Sequence, residues 1–158
     1  MPRISQVFFI HRPAVPILSV EIVTTLPELP VNIRHNFKAV MAKVEKAGEL
    51  IADVPFVGFH HFQTMTEDAM KVKIGFPVPV WFESKDGIDY EILPAGISAV
   101  CMYRGSYAGL MPVYEYMLAE IAAKGYKTGD ISYEYYYNGH EVAEEDLLTK
   151  IEIPVTKL

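Results

Sequence analysis

What this chain lacks narrows its chemistry first. It has one cysteine, Cys101, in 158 residues, which excludes an internal disulfide and any CxxC redox or metal pair. No apolar run approaches the roughly 20 residues that a membrane helix needs. The first ten residues carry no apolar stretch with a small-residue cleavage site. These absences lead us to expect a cytoplasmic protein without membrane contact. Lys and Arg number 14 against 20 Asp and Glu, the net charge is −6, and no basic cluster stands out. Phosphate backbones are held by concentrated positive charge, so nucleic acid is not an expected partner. There is no G-x-G-x-x-G and no phosphate-binding G-x-x-x-x-G-K, so no cofactor is expected. Ser106 sits in no G-x-S-x-G elbow. His60 and His61 are adjacent, so in a strand they face opposite ways and cannot close on one metal. No metal site is expected.

The residues that are present describe one globular domain. Apolar residues make up 51% and charged residues 22%, a composition that builds a packed core. The chain nearly repeats itself. A shift of 77 positions lays Gly48 on Gly125, Lys73-Ile74 on Lys150-Ile151 and Pro77-Val78 on Pro154-Val155. The same shift pairs Phe37 with Tyr114, Phe56 with Tyr133 and Phe59 with Tyr136. The first repeat runs over about 7–78 and the second over about 88–156.

Each repeat reads as strand, Pro-Ala turn, strand, helix, strand, strand. The turns are Arg12-Pro13-Ala14 and Leu93-Pro94-Ala95. In the first repeat Ile33, Phe37, Val40, Met41 and Val44 recur at helical steps, and Gly48 stops the helix. In the second, Val113, Tyr114, Met117, Leu118 and Ile121 form the stripe, Pro112 suits the first turn, and Gly125 ends it. The closing strands are expected at 55–63, 70–77, 131–137 and 148–154, with a tight turn at Asn138-Gly139. The segment from Val78 to Asp89, with Lys85-Asp86-Gly87, reads as a connector. The expected fold is α+β, an antiparallel sheet with helices on one face and a ligand groove between the halves.

The aromatic residues are divided unequally. All eight Phe lie in residues 8–82 and all ten Tyr in residues 90–137. Phe offers apolar area, whereas Tyr adds a hydroxyl that can donate or accept. Within 132–137 one acid, Glu134, stands among four tyrosines. Strand alternation puts Glu134 on a face with Tyr136, and Tyr133, Tyr135 and Tyr137 on the other. An acid in an aromatic groove can neutralise a ligand cation, with cation–π attraction of roughly 0.5–2 kcal/mol from nearby rings. The residues alone leave a plain alternative open, an acid on a solvated sheet face. Tyr103, Tyr107 and Tyr136 are pocket candidates, or amphipathic edges of the core. By the repeat, Val57 and Phe59 stand where Glu134 and Tyr136 do, and His61 continues that face. Phe59 and His61 are therefore candidates for an opposing wall. Trp81, just past a strand end, is a candidate lid or a simple packing residue. Cys101 more often packs than reacts. Glu141, Glu144, Glu145 and Asp146 read as a solvated turn.

The second repeat also resembles a known family. The Pro-Ala-Gly turn at 94–96, the Arg-Gly-x-Tyr step at Arg104–Tyr107, the Tyr-Glu-x-Tyr strand at 133–136 and the terminal T-K-I-x-I-P-V from Thr149 are similar to the GyrI-like small-molecule-binding domain, the AraC-type effector-binding domain. The likeness covers roughly the last 70 residues well and the first repeat mainly through the repeat itself. It implies a pseudo-twofold pair of βαββ units, a pocket for small aromatic and cationic molecules, and a ligand-contacting acid at Glu134. Strand signal begins by Val7, so the resemblance is to a stand-alone member. Three functions follow from it. One is drug, toxin or effector binding at Glu134, Tyr136, Tyr103, Tyr107, Phe59, His61 and Trp81. A second is hydrolysis of electrophilic cyclopropanoid toxins, with Glu134 and Tyr103 as the catalytic groups. A third is a gyrase-inhibitor-like protein interaction, with the acidic run at 141–146 as its surface. The oligomeric state is left open, a dimer included.

Overall fold

The computed structural model describes residues 3–158. In chain order it holds β1 (Phe8–Arg12), β2 (Val15–Thr24), α1 (Leu29–Lys46), β3 (Phe56–His60), β4 (Met70–Pro77), β5 (Asp89–Leu93), β6 (Gly96–Arg104), α2 (Leu110–Ala123), β7 (Tyr126–Thr128), β8 (Ile131–Tyr136) and β9 (Leu148–Lys157). The class is α+β, with antiparallel strand pairs and two long helices, as the residue patterns led us to expect.

The chain forms two compact units, one of Pro13–Ala95 and one of Gly96–Leu158 joined by the segment that ends at Arg12. This grouping differs from the linear repeat at one strand in each half. β1 hydrogen-bonds to β6, Phe8 opposite Val100, so the first strand belongs with the second repeat. β5 pairs with β2, Leu18 opposite Tyr90, and belongs with the first. Both Pro-Ala turns are the points where the chain leaves one unit for the other. Pro favours an extended residue before it and cannot continue a ladder, which suits such a crossing.

The Pro13–Ala95 unit orders its strands β3-β4-β2-β5. Helix α1 starts with a Pro in its first turn and carries Lys43 and Lys46 in its last, where cations favour the helix dipole. Gly48 ends it at φ 71°, and the Glu49 amide donates back to the Val44 carbonyl. Val40 and Val44 are fully buried and pack with Leu18, Phe76, Val78 and Phe82. Each such side chain contributes about 1.5–3 kcal/mol. Gly75 permits β2 and β4 to approach: a Cβ there would stand 2.1 Å from the Leu18 carbonyl oxygen. The connector closes on Lys85 and Ile88, with Asp86 and Gly87 both at positive φ, a hairpin turn.

The other unit orders its strands β1-β6-β9-β8, and short β7 pairs with the end of β9. Helix α2 buries Val113, Met117 and Ile121, spaced by four. Gly125 follows at φ 79°, the counterpart of Gly48. Between β8 and β9 the expected tight turn is instead a longer loop. Asn138 organises it: its Oδ1 accepts from the Leu148 amide and its Nδ2 donates to the Asp146 carbonyl. The acidic run lies on this loop, largely exposed.

Candidate functional site

Two acids are buried in the unit built on β6, β8 and β9. Glu152 on β9 is neutralised within the protein. Arg12 Nη1 lies 2.9 Å from its Oε2, and Ser98 Oγ donates to the same oxygen. Glu134 on β8 is different. It is 6% exposed, and among the described residues no Lys, Arg or His pairs with it; its partners are hydroxyls.

The geometry follows from the strand. Ser132, Glu134 and Tyr136 project to one face, as alternation requires. Tyr136 O–H donates to Glu134 Oε1 at 2.9 Å. From α2, Tyr114 O–H donates to Oε2 at 2.7 Å. Tyr114 has one hydroxyl proton, so at the 2.9 Å contact with Ser132 it accepts, and Ser132 Oγ donates. The result is a relay, Ser132 to Tyr114 to Glu134, closed on the other carboxylate oxygen by Tyr136. Tyr107 stands edge-on against Tyr136, with ring centroids 5.6 Å apart.

Burial raises the Glu134 pKa, and the Tyr114 and Tyr136 hydroxyls pull it partly back. Burial also holds the Tyr114 and Tyr136 hydroxyls well above their ordinary range, helped by the adjacent Glu134 charge. Tyr107 is raised for the same reasons, burial first, then Glu134 and Glu141. The cluster is thus a desolvated carboxyl fixed by two phenols that stay protonated.

The candidates named from the sequence fall in different places. Glu134, Tyr136 and Tyr107 come together. Tyr103 lies in the same unit, but its hydroxyl donates to the Ser106 carbonyl at 2.8 Å rather than to Glu134. Phe59, His61 and Trp81 belong to the Pro13–Ala95 unit. Phe59 is buried on β3, His61 sits at φ 52° in the turn after it, and Trp81 is 70% exposed with its ring edge-on to Tyr90. Cys101 is buried and its thiol is raised by burial. Among the described residues no group of His, Cys, Asp and Glu could hold a metal. A shallow cleft of about 560 Å³ lies elsewhere in the same unit, lined by Arg3, Tyr103, Arg104 and Glu145 among others. Glu134 does not line it, and both guanidinium groups there are engaged with backbone carbonyls.

Tyr114 and Ser132 were missed. Tyr114 read as part of the apolar stripe of α2, yet the repeat held the signal. At the matching positions of the other unit stand Phe37, Pro55, Val57 and Phe59, in place of Tyr114, Ser132, Glu134 and Tyr136. Every oxygen of the cluster is missing there together. Registers match too: Glu134 opposes Ile151 as Val57 opposes Ile74. One scaffold therefore carries a polar cluster in one unit and an apolar one in the other.

Fold and sequence together define a small-molecule-binding domain. The chain belongs to the GyrI-like small-molecule-binding-domain family, whose profile matches residues 5–156. Its fold is shared with the EcmrR C-terminal domain at a TM-score of 0.82 and 19% identity, covering 97% of this chain and 98% of that one. It spans 59% of the EcmrR chain in an EcmrR–DNA complex, with 99% of this chain covered, a TM-score of 0.83 and 19% identity. A hydrolase encoded by lin2189 from Listeria innocua matches with a TM-score of 0.73 and 11% identity, covering 96% of this chain and 92% of that one. SAV2435 bound to tetraphenylphosphonium matches at 0.67 and 11%, covering 96% and 94%. No curated protein sequence matches the chain. Among the described residues no helix is long and apolar enough to cross a membrane.

Proposed function

We propose that this protein binds small aromatic cations, with Glu134 as the counter-charge. The observation that carries this reading is a buried carboxyl served by hydroxyl donors on both oxygens and, among the described residues, by no cation. Burying a lone carboxylate costs several kcal/mol, which a paired cation offsets. Glu152, which has Arg12, shows the same unit meeting that cost internally. A ligand cation would complete Glu134, and the rings of Tyr136 and Tyr107 would add cation–π attraction. SAV2435 holds a cation of this chemical class. Entry requires Tyr136 to release Glu134 and turn, with Tyr107, which is 47% exposed, moving ahead of it.

The test is a fluorescence titration of the whole chain with tetraphenylphosphonium. Glu134→Gln keeps the shape and removes the charge, so affinity should fall at least about tenfold, ~1.4 kcal/mol. Unchanged affinity in that variant would remove Glu134 from the role.

A hydrolytic reading of the same site stands second, favoured by a carboxyl of raised pKa within reach of phenolic donors, a pairing suited to proton transfer. Glu134 would take a proton from water as the water oxygen bonds to a carbon of a strained ring conjugated to a carbonyl; the ring C–C bond breaks, its electron pair passes to that carbonyl, and Tyr136 would donate a proton to the carbonyl oxygen. Tyr103 has its hydroxyl on Ser106 and is not assigned that part. Incubation with a cyclopropanoid electrophile and mass detection of the hydrated product is the check; no product across a substrate panel would dismiss it.

A further inference from the structure

We infer that the Thr149 hydroxyl is a specificity-determining contact of the Glu134 site, reserved for a hydrogen-bonding group on the bound cation. This rests on the ligand-binding reading above. Thr149 lies on β9 directly opposite Tyr136 on β8, with Tyr103 of β6 on its other side. Directly opposed residues in a ladder share a face, so Thr149 stands on the face of Tyr136 and Glu134. It is 0% exposed. Its Oγ1 is buried without a hydrogen-bond partner among the described residues.

A threonine hydroxyl normally finds a partner in its own backbone or a neighbour, and a buried one left unmade is costly. The other unit shows that the site does not need it. The position matching Thr149 is Val72, fully buried and directly opposite Phe59. Valine has the shape of threonine without the oxygen, so the scaffold packs well with no hydroxyl at this place. Like Tyr114, Ser132, Glu134 and Tyr136, Thr149 carries oxygen where its counterpart in the other unit carries carbon. Those four side chains are hydrogen-bonded to one another. The Thr149 hydroxyl is polar, fixed by packing, and unused.

An unused hydroxyl beside an acid awaiting a cation has a chemical reading. Glu134 opposes Ile151, two residues from Thr149, so the two are diagonal neighbours roughly 7–8 Å apart at their Cα atoms. A cation at Glu134 that carries an O–H, N–H or carbonyl a few bonds from its positive centre would reach both. When Tyr136 turns to admit it, the surface uncovered includes its cross-strand partner. A quaternary cation with only hydrocarbon arms would use Glu134 and leave Thr149 idle. The ligand class favoured is therefore an aryl cation with a second, hydrogen-bonding group.

The experiment compares three probes on the whole chain by calorimetric titration: tetraphenylphosphonium, phenyltrimethylammonium and its 3-hydroxy derivative. Wild-type protein should bind the hydroxylated ammonium about five- to tenfold more tightly than the plain one. Thr149→Val should abolish that preference while changing the affinities of the two probes without hydroxyls less than about twofold. Thr149→Ser should keep the preference. Ligand-free Thr149→Val should be at least as stable as wild type, because nothing is lost with the oxygen. A preference that survives in Thr149→Val, an equal loss for all three probes, or a fall in its melting temperature overturns the inference. If wild-type protein binds none of the probes, or Glu134→Gln binds all of them normally, the underlying cation reading fails instead.

Discussion

Replacing Tyr114 with Phe removes one hydroxyl and nothing else. Phe stands at the matching helix position of the other unit, Phe37, where it packs beside Phe76. Volume is retained and no cavity forms. What is lost is the 2.7 Å bond to Glu134 and the acceptor for Ser132. A hydrogen bond to an ionised acceptor contributes about 1.5–3 kcal/mol, one to a neutral acceptor about 0.5–1.5. The size of the loss should therefore report the charge state of Glu134. Burial raises that carboxyl, so it takes up its proton at a higher pH than an ordinary glutamate does. Tyr114→Phe should cost about 1.5–3 kcal/mol in mildly alkaline buffer, and about 1 kcal/mol less at a pH low enough to protonate Glu134. For a chain of this length that is a melting-temperature loss of about 3–12 °C at the alkaline end. Urea unfolding at both pH values, read by linear extrapolation, measures the two penalties. The same substitution made in Glu134→Gln should lose its pH dependence. A penalty equal at both pH values in the wild-type background, or no penalty at either, would refute the coupling of Tyr114 to an ionisable Glu134.

Other consequences can be checked on the same protein. Glu134 titrates higher folded than unfolded, so the native state binds more protons between those two pKa values, and stability falls as pH rises through that window. Glu134→Gln should remove this fall, seen as a flatter stability profile from acid to neutral pH. Gly75→Ala places a Cβ 2.1 Å from the Leu18 carbonyl oxygen. The strands must part, at a cost of about 3 kcal/mol or more in denaturant unfolding. Arg12→Met leaves Glu152 buried without its cation and should cost about 3–5 kcal/mol, while adding Glu152→Met should recover most of it. A double variant no more stable than the single one would mean the pair is not the source of the loss.

Much of this was legible in the residues, and what was hidden has a common cause. The α1 and α2 stripes and their glycine stops are local signals, and both helices end where Gly48 and Gly125 require. Strand alternation was enough to put Glu134 and Tyr136 on one face. Strand pairing is not local, so nothing in 8–12 or 89–93 announces that β1 joins β6 and β5 joins β2. Three-residue β7 is too short for its period to register. Tyr114 hid because a tyrosine in an apolar helical stripe reads as core. Its role becomes visible only when the Phe37/Tyr114 difference is set beside Val57/Glu134 and Phe59/Tyr136. Tyr103 does not bond Glu134, because its own loop claims it: the Ser106 carbonyl takes its hydroxyl, and Gly105 and Gly109 leave room for the ring's end.

The central claim is that Glu134 is the counter-charge for a bound cation, and proton release tests it most directly. Tetraphenylphosphonium has no titratable group, so any proton exchanged on binding belongs to the protein. Burial raises the Glu134 carboxyl, so in the free protein it holds its proton to a higher pH than an ordinary glutamate, and a cation beside it favours the carboxylate. Calorimetric titration in buffers of different ionisation enthalpy should then show a fraction of a proton released per ligand bound by wild-type protein, and none in Glu134→Gln. Binding without proton release at any pH from the ordinary glutamate range up to neutral, or the same release in Glu134→Gln, would contradict the claim.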